Sequence, residues 1–184
     1  MKRFTITAAL VLAASGALAA DGKQDARVAG FAEMKTSAEK SDPVAQNNLA
    51  VMYATGNGVK QNYAEAAKWY EKAGEQGYPV AQHNLGTLYE NGMGVPRDLH
   101  AAKVWYELAA EQGDTWAQLS LGQLLVSQKV DPVRAYVWLY LASLGQDADV
   151  KQQAGAELNK IGGKLSSAQL SEATDIIRAW RPRR

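Results

Sequence analysis

The chain has 184 residues, of which 47% are hydrophobic and 21% charged, and it contains no cysteine. This apolar content argues against intrinsic disorder, and the lack of cysteine excludes disulfides, thiolate zinc sites and thiol nucleophiles. The 20 basic residues nearly balance the 19 acidic ones, so the composition gives no indication of a basic face for nucleic acid.

The N-terminal residues 1–19 predict a secretory signal peptide. Lys2 and Arg3 precede an apolar run over residues 6–18, and a small-residue motif ends at Ala19. The run is shorter than the roughly 20 residues that span a bilayer, which favours cleavage after Ala19 over a membrane anchor. Cleavage leaves 18 basic residues against 19 acidic ones, and we expect a periplasmic or secreted mature chain with no transmembrane segment.

An internal repeat dominates the rest of the chain. Residues 43–78 and 79–114 are two copies of one 36-residue unit and are identical at 18 positions. A third copy at 115–147 is three residues shorter, because its first helix is followed by Ser127-Gln128-Lys129-Val130 in place of a Gly-x-Gly-Val segment. Self-similarity at this period is typical of a solenoid, in which each unit buries its face on its neighbours.

Within a unit, apolar residues recur with helical spacing and predict a helical hairpin. Leu49 and Tyr53 lie on one stripe, and the Trp-Tyr pair at 69–70 lies on another, so we expect these aromatics in the core. Asp42 followed by Pro43 is typical of a helix N-cap with proline at the first helical position.

The two repeat motifs resemble those of a known family. The patterns A-x-x-x-L-[GA]-x-x-Y-x-x-G-x-G-V and A-x-x-W-Y-x-x-A-x-E-x-G are similar to the Sel-one-like repeat (SLR) family, a branch of the tetratricopeptide (TPR) superfamily. The resemblance implies an all-α protein, an α/α solenoid of stacked helical hairpins in a TPR-like superhelix, closed by a C-terminal pair of capping helices. The predicted division is a signal peptide (1–19), a degenerate half-repeat (20–42), repeat 1 (43–78), repeat 2 (79–114), a shortened repeat 3 (115–147), and capping helices with a basic tail (148–184).

The chain offers few residues for chemistry. His83 and His100 fall on different helices, and no cluster of Asp, Glu and His has the spacing of metal ligands. The Gly-x-Gly segments follow no predicted strand and lack the Gly-Lys-[Ser/Thr] ending of a phosphate loop. We therefore expect no catalytic residues, no metal site and no cofactor, and we interpret the protein as a non-enzyme.

The candidate binding residues lie on the first helix of each unit. In superhelical repeat proteins of this kind the first helices line the concave surface, so positions that point away from the core become candidate partner contacts. Several of them differ between units while the core positions stay fixed, as expected of a binding face and equally of drift on a solvated one. Their mixture of amide, imidazole, acid and apolar groups suits a peptide or protein segment better than a polyanion. The candidates are Asn47, Val51, Thr55, His83, Thr87, Glu90, Asn91, Trp116, Leu119, Gln123 and Ser127.

The resemblance implies an exported protein–protein interaction module, an adaptor, scaffold or regulator in the periplasm or cell envelope. One alternative is a small-ligand-binding or hydrolytic protein acting on β-lactams or the cell wall, although relatives with that activity are rich in cysteine. Another is a peptidoglycan-binding module that uses exposed aromatics such as Trp116.

The C-terminal tail carries four arginines, Arg178, Arg181, Arg183 and Arg184. A solvated tail and a weak contact with an anionic partner or surface are both compatible with this cluster.

Overall fold

The computed structural model describes residues 25–183, which form nine α-helices and no strand. The predicted signal peptide and Arg184 lie outside the described residues. In this part of the chain no helix is both long and apolar enough to cross a membrane. The helices are α1 (25–38), α2 (Pro43–Thr55), α3 (Tyr63–Glu75), α4 (Pro79–Asn91), α5 (Leu99–Glu111), α6 (Thr115–Gln128), α7 (Pro132–Ser143), α8 (Ala148–Gly162) and α9 (Ser167–Ala179).

The helices stack in chain order. The pairs α2–α3, α4–α5 and α6–α7 form antiparallel hairpins, and each second helix also packs on the first helix of the next unit. At the end of the array α8 and α9 both pack on α7, and α8 also contacts α6. The predicted all-α solenoid of helical hairpins is confirmed.

The helix boundaries follow from local capping chemistry. The Asp42 side chain accepts a hydrogen bond from the Val44 amide, with Pro43 at the first position of α2. Ser166 and Gln169 form a reciprocal capping box at the start of α9. These caps satisfy amide groups that the first helical turn leaves without partners.

The second glycine of each Gly-x-Gly segment is required by packing between units. A Cβ atom on Gly94 would lie 2.3 Å from the carbonyl carbon of Tyr63 at the start of α3, and one on Gly58 would lie 2.2 Å from the carbonyl oxygen of Arg27 in α1. Both glycines have φ near +70°, a region that side chains disfavour. The turn of each full repeat therefore lies directly against the backbone of the preceding second helix.

A buried glutamine ladder joins consecutive units. Gln46, Gln82 and Gln118 occupy one position in the three repeats and are all buried. Their Nε2 atoms donate to the carbonyl oxygens of Ala38, Gly74 and Ala110, at 3.2, 2.9 and 3.2 Å. These carbonyls belong to the last turn of the preceding second helix, so each glutamine fastens one unit to the next while satisfying its own buried amide.

The tyrosine, and not the tryptophan, is the buried member of the Trp-Tyr pairs. Tyr70 and Tyr106 are 4% and 1% exposed, whereas Trp69 and Trp105 are half-buried at the edge of the core. In repeat 3 the pair becomes Trp138 and Leu139, and both are buried. The predicted aromatic core is present, with tyrosine at its centre in repeats 1 and 2.

Candidate functional site

The first helices α2, α4 and α6 lie side by side and form a common surface, called here the first-helix face. Equivalent residues on the three helices are 36 apart in the chain. The predicted contact residues fall into three groups by exposure. Val51, Thr55, Asn91, Trp116 and Ser127 are exposed, His83, Thr87, Glu90 and Gln123 are half-buried, and Asn47 and Leu119 are buried.

Two side-chain contacts join neighbouring first helices. Asn84 of α4 donates from Nδ2 to Oδ1 of Asn47 on α2, at 3.3 Å. One unit further on, Nε2 of His83 lies 3.2 Å from Oγ of Ser120 on α6. Asn47 and His83 occupy the same repeat position, which we call the joint position because it connects each first helix to the next.

The structure contradicts the predicted surface position of two candidate contacts, Leu119 and Asn47. Leu119 occupies the joint position of repeat 3, is 1% exposed and shares a buried cluster with Val150 and Ala154 of α8. Leu119 is therefore part of the core and not of the surface. Asn47 is 5% exposed and its amide is used between helices, so it supports the face without being presented on it.

A polar cluster occurs in repeat 2. The hydroxyl of Tyr106 donates to Oε2 of Glu90 at 2.7 Å and lies 3.2 Å from Oγ1 of Thr87. The rings of His83 and Tyr106 have centroids 5.6 Å apart. Burial raises the pKa of the Tyr106 hydroxyl well above its ordinary value, so Tyr106 remains a hydrogen-bond donor to the Glu90 carboxylate.

The surroundings of His83 disfavour the charged form of its imidazole. Burial lowers the pKa of its imidazole, and the negative charges of Asp114 and Glu90 only partly oppose this effect. His83 and Ser120 lie at contact distance, but within residues 25–183 no carboxylate hydrogen-bonds the imidazole. The Glu90 carboxylate instead accepts from Tyr106. The pair therefore lacks the third member that orients the base in a hydrolytic triad.

The equivalent positions in the other repeats do not reproduce the cluster. Repeat 1 has Asn47, Val51 and Ala54 where repeat 2 has the histidine, threonine and glutamate, and repeat 3 has Leu119, Gln123 and Val126. The arrangement is thus specific to repeat 2. The described residues also contain no group of three or more His, Asp or Glu side chains that could hold a metal ion.

An apolar row, which the sequence analysis did not identify as a row, runs along the starts of the three first helices. It consists of Val44, Val80 and Trp116, each the second residue of its helix, and they are 45%, 39% and 39% exposed. The signal in the sequence is the 36-residue spacing of large apolar side chains at a position outside the helical core stripe.

A polar row lies at the opposite ends of the same helices. Thr55, Asn91 and Ser127 are also 36 apart and exposed. Each donates to a carbonyl oxygen of its own helix, at 2.8, 2.9 and 2.8 Å. The hydroxyl donors of Thr55 and Ser127 are used within the helix, so these two side chains present oxygen acceptors to a partner, while Asn91 presents its amide oxygen and its second N–H.

The C-terminal tail is folded back on the array. The backbone amide of Arg183 donates to the carbonyl oxygen of Glu111 at 2.8 Å, and its guanidinium lies 2.5 Å from the Glu111 carboxylate. Trp180 packs against the core. The described part of the tail therefore contacts α5, although residues 181–183 are exposed. The anionic contact of Arg178, Arg181, Arg183 and Arg184 stays a prediction.

Comparisons with known proteins follow the repeat pattern. A family model described as Sel1 repeat matches residues 43–78, 79–114 and 117–147. No curated protein matches significantly. The crystal structure of c5321, a protective antigen of uropathogenic Escherichia coli strains that displays an SLR fold, is similar with a TM-score of 0.72 and 30% identity, over 82% of this chain and 32% of that one.

A second solved structure, a Sel1 repeat protein from Oxalobacter formigenes, is similar with a TM-score of 0.59 and 30% identity, over 70% of this chain and 60% of that one. The chain thus spans about a third of the length of the E. coli protein and about three fifths of the length of the O. formigenes protein. With three matched repeats that cover more than half of its length, the chain belongs to the Sel1 repeat family.

Proposed function

We propose that this protein is an exported, non-enzymatic adaptor that binds a segment of another protein along its first-helix face. Sel1 repeat proteins are generally protein-interaction modules without catalytic activity. Membership of the family supports the class of function, and the surface of this chain supports the choice of face.

The apolar row is the observation that carries the proposal. Single exposed apolar residues are common on protein surfaces, but Val44, Val80 and Trp116 are exposed at one repeat position on three successive first helices. Tryptophan is enriched among the residues that dominate interface energies. Burying this row under a partner would contribute roughly 25 cal/mol of favourable transfer free energy for each Å² of apolar surface removed from water.

The polar row complements the apolar one. A peptide segment has backbone amides that need acceptors when it leaves water, and Thr55, Asn91 and Ser127 present oxygens along one line. The rows are eleven residues apart on each helix, about 16 Å at 1.5 Å per residue. A partner segment that extends along the helices can therefore place apolar side chains on the apolar row and backbone amides at the polar row. This arrangement suits a protein segment better than a polyanion.

Paired surface variants test the proposed face. We expect Val80→Ser combined with Trp116→Ser to abolish in-cell photo-crosslinking of the exported protein to its partner, identified by mass spectrometry. The matched control is Val104→Ser with Leu108→Ser, because these two side chains on α5 are similarly exposed, at 41% and 40%. Equal retention of the partner by both variants, or equal loss with unchanged helical circular dichroism, would contradict the proposal.

Export is tested separately by the mature N-terminus. Expression of the full chain in a Gram-negative host should yield a periplasmic protein that begins at Ala20, as the motif before it predicts. Intact mass and N-terminal sequencing measure this directly. A chain that retains Met1 and stays in the cytoplasmic fraction would refute export without affecting the proposed binding face.

A cell-wall polymer is the second candidate ligand, and the exposed indole of Trp116 favours it. Co-sedimentation of the purified protein with cell-wall sacculi discriminates between the two. We expect no sedimentation above that of the Trp116→Ser variant. Saturable, Trp116-dependent sedimentation would reassign the face from a protein segment to a glycan.

A further inference from the structure

A cleft of about 360 Å³ lies between the α6–α7 turn and the α8–α9 turn. Its walls are mainly apolar and include Val126, Ala135, Ile161 and Leu165. Its volume falls in the range of about 300–1,000 Å³ that is typical of small-molecule sites. The cleft borders the polar row at Ser127, which lies between Val126 and Lys129 in the chain, but no residue of the apolar or polar row lines it.

Comparison of the repeats explains why this space is open. The turn of repeat 2 lies against the start of α3, and its side chains Met93 and Val95 pack on the core between repeats 1 and 2. The corresponding turn between α8 and α9 has Gly162 and Gly163 before Lys164 and Leu165. Two glycines bring no side chains, and a Cβ on Gly163 would meet nothing within 4 Å.

The polar groups at the cleft are hydrogen-bond donors. Lys129 and Lys164 line it, and among residues 25–183 neither ammonium lies within 4 Å of a carboxylate. Gln169 also lines it, with Oε1 accepting from the Ser166 amide at 2.9 Å, so its Nε2 group is left to donate. Asp131, which is adjacent in sequence, does not line the cleft and accepts from the Arg134 amide.

We propose that this cleft binds a free medium-chain alkyl carboxylate. The alkyl chain lies against Val126, Ala135 and Ile161, and the carboxylate lies between the ammonium groups of Lys129 and Lys164. An apolar wall with cationic donors at the rim complements an amphipathic anion in both parts of the ligand.

Titration of the mature protein with decanoate, followed by ¹H–¹⁵N NMR below the micellar concentration, tests the site. Saturable shifts should fall on residues 125–135 and 161–169, with affinity rising about fourfold for each added methylene from hexanoate to decanoate. Decyltrimethylammonium has the same chain with the opposite charge and should produce no such shifts.

Charge variants locate the head group. Lys129→Gln with Lys164→Gln should weaken decanoate binding at least tenfold, as expected when about 1.4 kcal/mol of interaction is lost. Lys60→Gln with Lys151→Gln makes the same change in net charge at two exposed lysines that do not line the cleft. This control should bind decanoate as the wild type does.

Four outcomes with free ligands would overturn the inference. They are equal binding of the cationic amphiphile, equal weakening by both lysine pairs, shifts confined to the first-helix face, and no saturable shift. Vesicles of phosphatidylglycerol test whether the cleft contacts a membrane surface instead of a free ligand. Binding to these vesicles without binding of free decanoate would also reject the site. None of these results depends on whether a protein partner is captured by the first-helix face.

Discussion

Replacing Tyr106 with Phe should lower the free energy of unfolding by about 1.5–2 kcal/mol, the lower part of the range for hydrogen bonds to charged groups. The Tyr106 side chain is 1% exposed and its hydroxyl donates to the Glu90 carboxylate at 2.7 Å. Glu90 is only half-buried, so water can partly replace the lost donor, and the cost should stay near this lower end.

Tyr70 is the matched control because it occupies the same position in repeat 1 and is also buried, at 4% exposed. Burial raises its pKa to about 12. Repeat 1 has Ala54 where repeat 2 has Glu90, and within residues 25–183 the Tyr70 hydroxyl has no carboxylate acceptor. We therefore expect Tyr70→Phe to change the stability by less than about 0.5 kcal/mol.

Urea and thermal unfolding, monitored by circular dichroism at 222 nm, measure the difference between the two variants. A chain of this length shifts its melting temperature by roughly 2–4 °C for each kcal/mol, so Tyr106→Phe should melt roughly 3–8 °C below the wild type. Equal losses at the two tyrosines would mean that the cost arises from packing, and the assignment of the hydroxyl to Glu90 would be refuted.

Three further results are expected from the same measurements. Gly94→Ala should lower the free energy of unfolding by roughly 1–3 kcal/mol more than Gly77→Ala does. Both glycines have positive φ, but only at Gly94 would the added Cβ clash with backbone atoms, so equal losses would contradict the packing argument. The lowered pKa of His83 means that the unfolded chain binds a proton at this residue more readily than the folded chain, so the wild type should lose stability as the pH falls through 6.5. His83→Asn should remove part of this loss, and an unchanged profile of stability against pH would contradict the reasoning. Trp138→Ala should lower the free energy of unfolding by about 3–5 kcal/mol, and Trp105→Ala should lower it by less, because Trp105 is only half-buried. The reverse order would contradict the assigned burial of the two side chains.

The fold follows closely from the sequence because the repeat supplies the same local signals several times. Asp42 with Pro43 and Ser166 with Gln169 mark helix starts by chemistry that is local in the chain. The glutamine ladder is not among the sequence predictions, although Gln46, Gln82 and Gln118 recur at 36-residue spacing. A polar residue next to an apolar stripe is usually predicted to lie on the surface. These glutamines are buried because they donate hydrogen bonds to carbonyl oxygens of the preceding unit, which the sequence alone does not place beside them.

The candidate face was only partly predictable for a related reason. Helical spacing identifies which residues point away from their own hairpin, but it does not reveal which of them meet the next hairpin. Asn47, His83 and Leu119 share one outward position. Asn47 contacts Asn84 and His83 contacts Ser120 on the next first helix, whereas Leu119 is buried in the core.

Removing the joint position from the binding surface changes the expected nature of the interface. The rows that remain, with Val44, Val80 and Trp116 at one end and Thr55, Asn91 and Ser127 at the other, contain no charged side chain. Glu90, the acid among the predicted contacts, already receives the Tyr106 hydroxyl. On the proposed face, a partner segment should therefore gain its affinity from apolar burial and uncharged hydrogen bonds. Because such contacts are little affected by ionic screening, this face should select its partner by shape and apolar spacing and not by charge.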